Sequence, residues 1–302
     1  MRRLLQPLRF LTTFFLILAY MAHAFWLSLW VGRQDPYVLR HHLTRWLKLY
    51  SKLGLKILGV QVRVSGRPLQ ERAQLVVSNH LSYLDVLVLS SQKAGCFVTS
   101  QDIRQTPFLG QIVELAGCLF VDRRSRENLA QEISQLTEAL QAGLSVMVFP
   151  EATSTNGESV LRFRRPLFNA AILSAQPVQP LCLNYQELGG EPVNTVNRDS
   201  VFWYGDMPFA SHLWALSGLG KIVVEVCVLD PINPILAREF GGERPDQWLA
   251  EKSYQEVVEA FQPVGREPRG HTSSPLPAAA VKPMGTDEKQ PEALSRPPEL
   301  SE

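Results

Sequence analysis

The sequence predicts an α/β fold in which helices flank a mainly parallel sheet, with an N-terminal membrane-associated helical module. Three observations lead to this prediction. Short apolar runs of strand length recur through the middle of the chain, helical stretches separate them, and a long uncharged apolar segment precedes them. We expect a membrane-anchoring helical module at residues 1–58, an α/β domain of catalytic size at 59–262 and a disordered tail at 263–302.

The first predicted element is a long apolar helix. Phe10 to Val31 holds 22 residues without a charge, about 33 Å as a helix, which is enough to span or deeply enter a bilayer. Trp26 and Trp30 near its end suit a membrane interface. A cleaved secretory signal is the alternative, because Ala22 to Ala24 imitates a cleavage site, but the apolar run continues past that point.

An amphipathic helix is predicted to follow at residues 35–58. Its apolar positions recur at steps of three and four, and they are Leu39, Leu43, Trp46, Tyr50, Leu53 and Ile57. Its opposite side is basic and consists of His41, Arg45, Lys48, Lys52 and Lys56. Such a helix either lies in a membrane interface with its apolar face down or packs on its own domain, and the sequence leaves both interpretations open.

Charge is concentrated in this same N-terminal part. Between Met1 and Val60 nine Lys or Arg residues oppose Asp35 alone, so this part carries +8 and the remainder −7 of a net charge of +1. Basic charge beside apolar surface favours an anionic bilayer as partner over nucleic acid. The flank after the apolar segment is slightly richer in basic residues. We therefore expect a membrane-bound protein with one N-terminal hydrophobic segment and a cytoplasmic main domain, at the inner membrane in a bacterium.

Seven strands are predicted in the globular part. They lie near residues 60–64, 74–78, 96–100, 118–122, 145–149, 178–183 and 221–229. Thr106 followed by Pro107 predicts the cap and first turn of one helix, and Ser125 predicts the start of another that Gly143 ends. Strands and helices in alternation predict the parallel sheet.

The cysteines, the isolated His80 and the C-terminal tail each lead to one further prediction. Four widely spaced cysteines in apolar runs indicate buried thiols in a reducing compartment. No metal site is predicted, because His80 has no second histidine at ligand spacing. The forty residues from Pro263 to Glu302 include eight prolines and no aromatic residue, which predicts disorder.

His80 and Asp85 stand out within the apolar stretch Val76 to Leu89. On one continuous helix they would lie about 140° apart. A strand that ends at Ser78, a tight loop and a helix that begins near Ser82 would instead let Asp85 accept the imidazole N–H, which leaves the other ring nitrogen free to take a proton. The alternative is a capping role for Asp85 and an ordinary buried His80.

Two further loops follow predicted strands and carry polar residues. Arg123 and Arg124 come just after the strand near 118–122, with Asp122 beside them. The loop after the strand near 145–149 presents Glu151, Thr153, Ser154 and Thr155. Because the carboxyl ends of parallel strands share one edge, we expect these loops to converge on a ligand site. An arginine there is either an anion receptor or a solvated surface charge.

These residues resemble the motifs of the glycerolipid acyltransferases, which include the 1-acylglycerol-3-phosphate acyltransferases. The four matching segments are Asn79, His80, Ser82 and Asp85; Phe120 and Arg123; Phe149, Pro150, Glu151 and Thr153; and Val178 to Pro180. Their order and spacing agree from about Gly59 to Pro234, most of the globular part. The four motifs together are highly specific, although each alone is weak.

The resemblance implies that a fatty acyl group passes from acyl-CoA or acyl carrier protein to a lysolipid hydroxyl, with 1-acyl-sn-glycerol-3-phosphate as the first expected acceptor and no other cofactor. It implies that His80 is the general base and that Asp85 orients it, without a covalent acyl-enzyme. The implied substrate-binding residues are Asn79, Ser82, Phe120, Arg123, Glu151, Ala152, Thr153 and Ser154. A lipid substrate also accounts for the predicted membrane attachment.

Two departures from the family pattern bear on the substrate. Ala152 replaces a common glycine, so the loop either avoids a positive φ or bears strain. Ser154 stands where phosphatidic acid-forming members often carry arginine, and Arg162, Arg164 and Arg165 either compensate or are surface charges. A lyso-ornithine lipid is therefore the alternative acceptor. A non-catalytic membrane-anchored lipid-binding protein is the alternative from another class, whereas a serine hydrolase lacks its G-x-S-x-G motif.

The segments Trp203 to Met207 and His212 to Trp214 also resemble bacterial members of this broader group. The sequence assigns them no chemical role.

Overall fold

Eight strands form one sheet in this computed structural model, which describes residues 2–31, 35–122 and 128–265. The strands are β1 Val60–Gly66, β2 Leu75–Ser78, β3 Cys96–Ser100, β4 Leu119–Val121, β5 Val146–Val148, β6 Val178–Leu188, β7 Glu191–Pro192 and β8 Ile222–Val228. The sheet order is β1-β8-β6-β2-β5-β3-β4, and β7 pairs with β6. All seven predicted strands are present.

Most neighbouring strands are parallel, as predicted. The exceptions are β8, which runs antiparallel to β6, and the two-residue β7, which the sequence did not predict. The described helices are α1 Arg2–Val31, α2 Pro36–Leu58, α3 Leu84–Gln92, α4 Gln101–Arg104, α5 Leu109–Leu115, α6 Leu129–Gln141, α7 Asn169–Ser174, α8 Phe209–Ser217, α9 Pro234–Phe240 and α10 Pro245–Ala260. The predicted fold class, a mainly parallel sheet flanked by helices, is confirmed.

One helix start was predicted wrongly. The hydroxyl of Thr106 donates back to the carbonyl of Asp102, so Thr106 closes the turn after α4 and does not cap the next helix. Phe108 then adopts a positive φ of 66°, and α5 begins only at Leu109. The predicted start at Ser125 lies outside the described residues, as does most of the predicted tail.

The junction after α2 depends on Gly59. Its φ of 76° is left-handed, and its N–H donates to the carbonyls of Leu55 and Lys56. A side chain here would collide with the carbonyl of Gly220, which a Cβ would approach to 1.7 Å. The helix can therefore end and β1 begin at Val60 only with glycine at this position. The division of the chain at residues 58 and 262 stays a prediction.

Helix α1 packs along one stripe and leaves the opposite stripe exposed. Tyr20 and Ala24 are buried, and the Tyr20 hydroxyl donates to the carbonyl of Leu115 at 3.1 Å. The exposed stripe consists of apolar side chains, among them Leu8, Leu11, Phe15, Leu18, Trp26 and Trp30. The segment Leu5–Val31 is long and apolar enough to cross a membrane.

Helix α2 is packed on both sides. Leu43, Leu47, Leu55 and Leu58 are buried, and the helix contacts α3 and β1. The adjoining side meets α1, where the rings of Trp46 and His23 lie 4.3 Å apart. The helix therefore packs on its own domain, but Trp46 and Leu53 of its predicted apolar face are 38% and 44% exposed, and Arg45, Lys52 and Lys56 are exposed as well.

All four cysteines are free thiols. Cys96, Cys118 and Cys182 are buried and Cys227 is half-buried. Burial raises the pKa of the Cys96 and Cys118 thiols to about 12, which makes them unreactive at neutral pH.

Candidate active site

The candidate site lies where β2 and β5 end. These strands are parallel neighbours, so the loop that carries His80 and the loop that begins at Phe149 leave the sheet at the same edge. The chain turns directly after Ser78, and α3 begins at Leu84. This strand-loop-helix bend is the one that the positions of His80 and Asp85 predicted.

The bend brings the imidazole and the carboxylate into contact. Nδ1 of His80 lies 2.9 Å from Oδ2 of Asp85. The same oxygen accepts the backbone N–H groups of Leu81 at 2.6 Å and Ser82 at 2.9 Å. Asp85 therefore fills both roles that the sequence left as alternatives, since it satisfies backbone donors before α3 and also binds the histidine.

Tyr185 completes the surroundings of Asp85. Its hydroxyl donates to Oδ1 of Asp85 at 2.6 Å, and the carboxylate is fully buried. Burial, followed by the charge of Asp85, raises the pKa of Tyr185 well above its usual value, so the phenol stays a donor. The sequence analysis missed this residue because no local spacing relates it to Asp85, 100 positions away on β6.

The His80 ring is held flat against Phe149. The two ring centroids are 3.9 Å apart with an angle of 10° between the planes, and the histidine side chain is 19% exposed. Because Oδ2 of Asp85 also accepts two backbone N–H groups, it is the acceptor in this contact, and Nδ1 of His80 carries the ring proton. Nε2, which has no hydrogen-bond partner among the described residues, keeps its lone pair. The arrangement can take a proton from a hydroxyl at Nε2.

Glu151 connects the His80 loop to the loop after β5 through hydrogen bonds. Oε1 accepts the backbone N–H of His80 and Oε2 accepts that of Leu161, both at 2.7 Å. The pKa of this carboxyl is raised to about 7, chiefly by burial and to a smaller extent by the charge of Asp85, while the two N–H donors oppose the shift. The backbone N–H of Thr155 also donates to the carbonyl of His80 at 2.9 Å, so both backbone groups of His80 are held.

Asn79 and Ser82 are turned toward the backbone. The Asn79 side chain donates to the carbonyl of Leu183 at 3.0 Å and accepts its N–H at 2.8 Å, which ties the end of β2 to β6. Ser82 accepts the N–H of Leu84 at 3.4 Å. Both side chains are buried. They position the loop, and their assignment as substrate-binding residues stays a prediction.

The sequence left open whether the backbone at Ala152 avoids a positive φ or is strained, and the structure shows the strained conformation. Its φ is 62°, in the left-handed region that glycine adopts without cost. The next residue, Thr153, is exposed, and Ser154 is half-exposed beside it. The loop therefore offers two hydroxyl groups next to the His80 loop.

The predicted cationic part of the site is described only in part. Arg123 and Arg124 lie outside the described residues. Phe120, which is half-exposed on β4, has the guanidinium of Arg104 5.0 Å from its ring centroid. Among the described residues, the ring contact of His80 is with Phe149 and not with Phe120.

The three arginines that follow Glu151, at positions 162, 164 and 165, differ in their partners. Arg162 pairs with Glu251 and Arg165 with Asp246, both on α10. Arg164 is exposed, and its backbone N–H donates to the carbonyl of Pro150 at 2.9 Å. The sequence left open whether these arginines compensate for Ser154 or are surface charges, and two of the three pair with α10. Within the described residues no group of three His, Cys, Asp or Glu side chains is arranged to hold a metal ion.

Comparison with known proteins places this site in a family. Residues 61–184 match the acyltransferase family. A lyso-ornithine lipid O-acyltransferase of Rhizobium meliloti is 32% identical over 191 residues, which cover 60% of this chain and 65% of that protein. A 1-acyl-sn-glycerol-3-phosphate acyltransferase of Neisseria gonorrhoeae is 32% identical over 200 residues, which cover 65% of this chain and 72% of that protein. This chain belongs to the acyltransferase family.

The fold of this acyltransferase is also found in a solved structure. The 1-acyl-sn-glycerophosphate acyltransferase PlsC from Thermotoga maritima superposes with a TM-score of 0.58 at 20% identity, covering 86% of this chain and 97% of that one. The likeness at this identity concerns the fold alone. The family and the enzyme class that the four motifs predicted are confirmed, and the chain spans about two thirds of the length of the curated relatives.

Proposed function

We propose that this acyltransferase moves a fatty acyl group from acyl-CoA or acyl carrier protein to the free hydroxyl of a lysolipid. The observation that carries the proposal is the pair His80–Asp85, with Nδ1 bound to a buried carboxylate and Nε2 free at the edge where the loops converge. The names of the relatives support a lysolipid as the acceptor class.

The geometry supports a direct transfer. The acceptor hydroxyl oxygen attacks the thioester carbonyl while its proton passes to Nε2 of His80. Asp85 stabilises the imidazolium that forms, through the contact at Nδ1. The carbon–sulfur bond then breaks, and the departing thiolate takes the proton from Nε2. The products are an ester and a free thiol, with no bond to the protein at any step.

The first acceptor that we propose is 1-acyl-sn-glycerol-3-phosphate, which would give phosphatidic acid. Lyso-ornithine lipid is the second candidate, favoured by a specific observation. Ser154 replaces the arginine of many phosphatidic acid-forming members, and Arg162 and Arg165, which were candidates to replace its charge, pair with α10. Arg123 and Arg164 remain as candidate partners of an acceptor phosphate.

We also propose that α1 holds the protein at a bilayer with the active site on the cytoplasmic side. The exposed apolar stripe of α1 supports attachment, and the basic residues of α2 support a surface of anionic headgroups. Both substrate and product of the proposed reaction are lipids, so attachment places the enzyme beside them.

The experiment that tests the proposed function is acyl transfer by the purified full chain in vesicles. Several lysolipids are offered with acyl-CoA or acyl carrier protein, and products are read by mass spectrometry. His80→Ala should lower kcat by about a thousandfold, because it removes the proposed base. His42→Ala, which changes an exposed histidine on α2, serves as control and should keep full activity. Transfer that persists in His80→Ala would contradict the base assignment, and no transfer to any lysolipid would favour the non-catalytic lipid-binding alternative.

A further inference from the structure

Helix α8 follows one of the segments that the sequence singled out without a role. From Met207 to Gly220 the chain has no Asp, Glu, Lys or Arg. A solvent-facing stretch of this length often carries charges, so its composition is compatible with an environment other than water on its outer side.

The two faces of α8 differ. His212, Leu213, Leu216 and Ser217 are buried against the protein. The outer face consists of Ala210, Ser211, Trp214 and Ala215, all of which are exposed, and the indole of Trp214 is 44% exposed. The outer face is therefore uncharged and presents one large aromatic ring.

The outer face adjoins the exposed apolar stripe of α1. The rings of Trp214 and Phe10 meet edge to face with 5.3 Å between centroids. The Gln6 side chain donates to the carbonyl of Trp214 at 2.8 Å. Phe14, one turn beyond Phe10 on the same side of α1, is 38% exposed. An apolar surface thus extends from α1 onto α8, and the half-exposed Arg9 lies beside it.

We propose that the outer face of α8 is a second membrane-contacting surface, which lies in the interfacial layer of the bilayer beside α1. This rests on the bilayer attachment in the proposed function. Tryptophan is enriched at that depth, and an uncharged helix face beside a helix proposed to contact lipid is compatible with it. A second copy of the chain is the competing occupant, and the experiment below separates the two.

The inner face of α8 connects this surface to the His80 loop. The Tyr83 hydroxyl donates to Nδ1 of His212 at 3.0 Å, while Nε2 of His212 donates to the carbonyl of Phe202 at 3.0 Å. Burial lowers the pKa of His212, which keeps the ring neutral and its Nδ1 an acceptor. Tyr83 directly precedes α3, and the backbone N–H of Trp203 donates to the carbonyl of Leu81 at 2.9 Å.

The position of α8 has a consequence for the substrate. A single helix, about 10 Å thick, separates the proposed lipid surface from the loop that contains His80 and Asp85. A lysolipid can therefore present its hydroxyl to the site while its acyl chain stays in the bilayer. The segment 203–217 acts as the support that fixes the height of the active site above the membrane.

The test places an environment-sensitive NBD label on the full chain at Ala215→Cys. Val196→Cys, at an exposed loop position, is the matched control, and the labelled parent chain corrects for Cys227. The vesicles contain phosphatidylethanolamine and phosphatidylglycerol, with doxyl quenchers at defined depths. The label at 215 should shift to the blue and be quenched by shallow doxyl groups, and the label at 196 should do neither.

Emission at 215 that is unchanged by vesicles overturns the proposal. A blue shift that appears without vesicles as protein concentration rises identifies a second copy as the occupant and overturns it as well. These readouts need no catalysis, so they are independent of the proposed reaction.

An activity measurement gives a second, separate outcome. Ala215→Asp adds a charge to the outer face without removing a packed side chain. It should raise KM for an acceptor presented in vesicles about tenfold and leave kcat/KM for a monomeric short-chain acceptor unchanged. An unchanged KM for the vesicle-bound acceptor would reject a membrane role for this face.

Discussion

Asp85 is bound by more donors than any sequence motif indicates. His80, Leu81, Ser82 and Tyr185 all donate to it, and only the tyrosine comes from outside the loop. We interpret Tyr185 as a positioning residue, since it acts on His80 through the carboxylate. Its hydrogen bond disperses part of the negative charge that an imidazolium at His80 would face.

Tyr185→Phe tests this role. Without the phenolic donor the carboxylate presents more charge to the imidazole, so the acidic limb of the pH profile of kcat/KM should move to higher pH. The plateau should fall about three- to tenfold, in line with a lost hydrogen bond to a charged group. Tyr254→Phe on α10 is the control, and a Tyr185→Phe profile that only drops without moving would assign the phenol a purely structural role.

Ala152 offers a test of backbone strain. An L-residue in the left-handed region costs about 1 to 2 kcal/mol, whereas glycine gains freedom in the unfolded chain. Ala152→Gly should therefore raise the free energy of unfolding by about 0.5 to 1 kcal/mol, measured by urea denaturation. Ala175→Gly, also at a positive φ of 53°, should behave alike, while Ala171→Gly within α7 should destabilise. A loss of stability in Ala152→Gly would show that its methyl group makes a favourable contact.

At the scale of single residues, the sequence predicted the contact between residues that are close in the chain and missed the contact between distant ones. His80 and Asp85 are five positions apart, so the chemistry of one loop was enough to predict their meeting. Tyr185 was missed because its contact requires β6 to lie beside β2, which depends on strand order. Their catalytic and substrate-binding roles remain predictions.

At the scale of elements, the candidate active site consists of two loops that one buried carboxylate connects. Glu151 accepts one N–H from each loop, at His80 and Leu161. Because burial raises its pKa from 4.5 to about 7, the folded state holds this proton to higher pH than the unfolded chain does. The contribution of Glu151 to stability is therefore present below pH 4.5 and is lost as pH rises through about 7.

Glu151→Gln should remove that pH dependence. The wild-type free energy of unfolding should fall between pH 5 and 7 relative to the variant, whose amide does not titrate. The variant should also be less stable at pH 7 by about 1 to 3 kcal/mol, since its NH₂ group faces a backbone donor. Glu259→Gln, at an exposed position on α10, is the control for urea denaturation at each pH. Parallel pH curves for wild type and Glu151→Gln would contradict the raised pKa.

The strands were easier to predict than the helix ends. An apolar run of four to seven residues marks a buried strand whatever its neighbours are, which is why all seven predicted strands occur. The start of α5 was misplaced because the Thr106 hydroxyl has two possible backbone partners, and only the fold selects the carbonyl of Asp102. The same limitation applies to β8, whose apolar pattern contains no information on its antiparallel direction.

At the scale of the whole molecule, α1 has one packed and one exposed stripe. Substituting the exposed stripe leaves the packed one intact. Leu8→Glu combined with Phe15→Glu, at positions 58% and 62% exposed, should lower binding to anionic vesicles at least tenfold, because each buried apolar side chain contributes about 1.5 to 3 kcal/mol. Flotation measures the bound fraction.

Val196→Glu provides the control, since it adds a charge at a position 91% exposed and away from α1. Binding that survives the double substitution would assign attachment to another surface.

The overall architecture was predictable to the level of class. Alternating strands and helices predicted the parallel sheet, and the four motifs predicted the family. The interpretation of α2 as an interfacial helix or a packed one stayed open because its apolar residues cover more than one face. Only the three-dimensional arrangement shows that α1 and α3 pack against part of this apolar surface, while Leu49 and Leu53 stay exposed.

The residues that contact one another in the candidate site are far apart in the sequence, which affects the order in which the site can form during folding. The contact of His80 with Glu151 closes 71 residues, and that of Asp85 with Tyr185 closes 100. Contacts of such separation form late, because loop closure precedes any gain from them. Because β6 ends at Leu188, we expect the complete site to form in a nascent chain only after this strand has been synthesised and has docked. The order of synthesis thus delays the assembly of the reactive centre until most of the sheet exists to hold it.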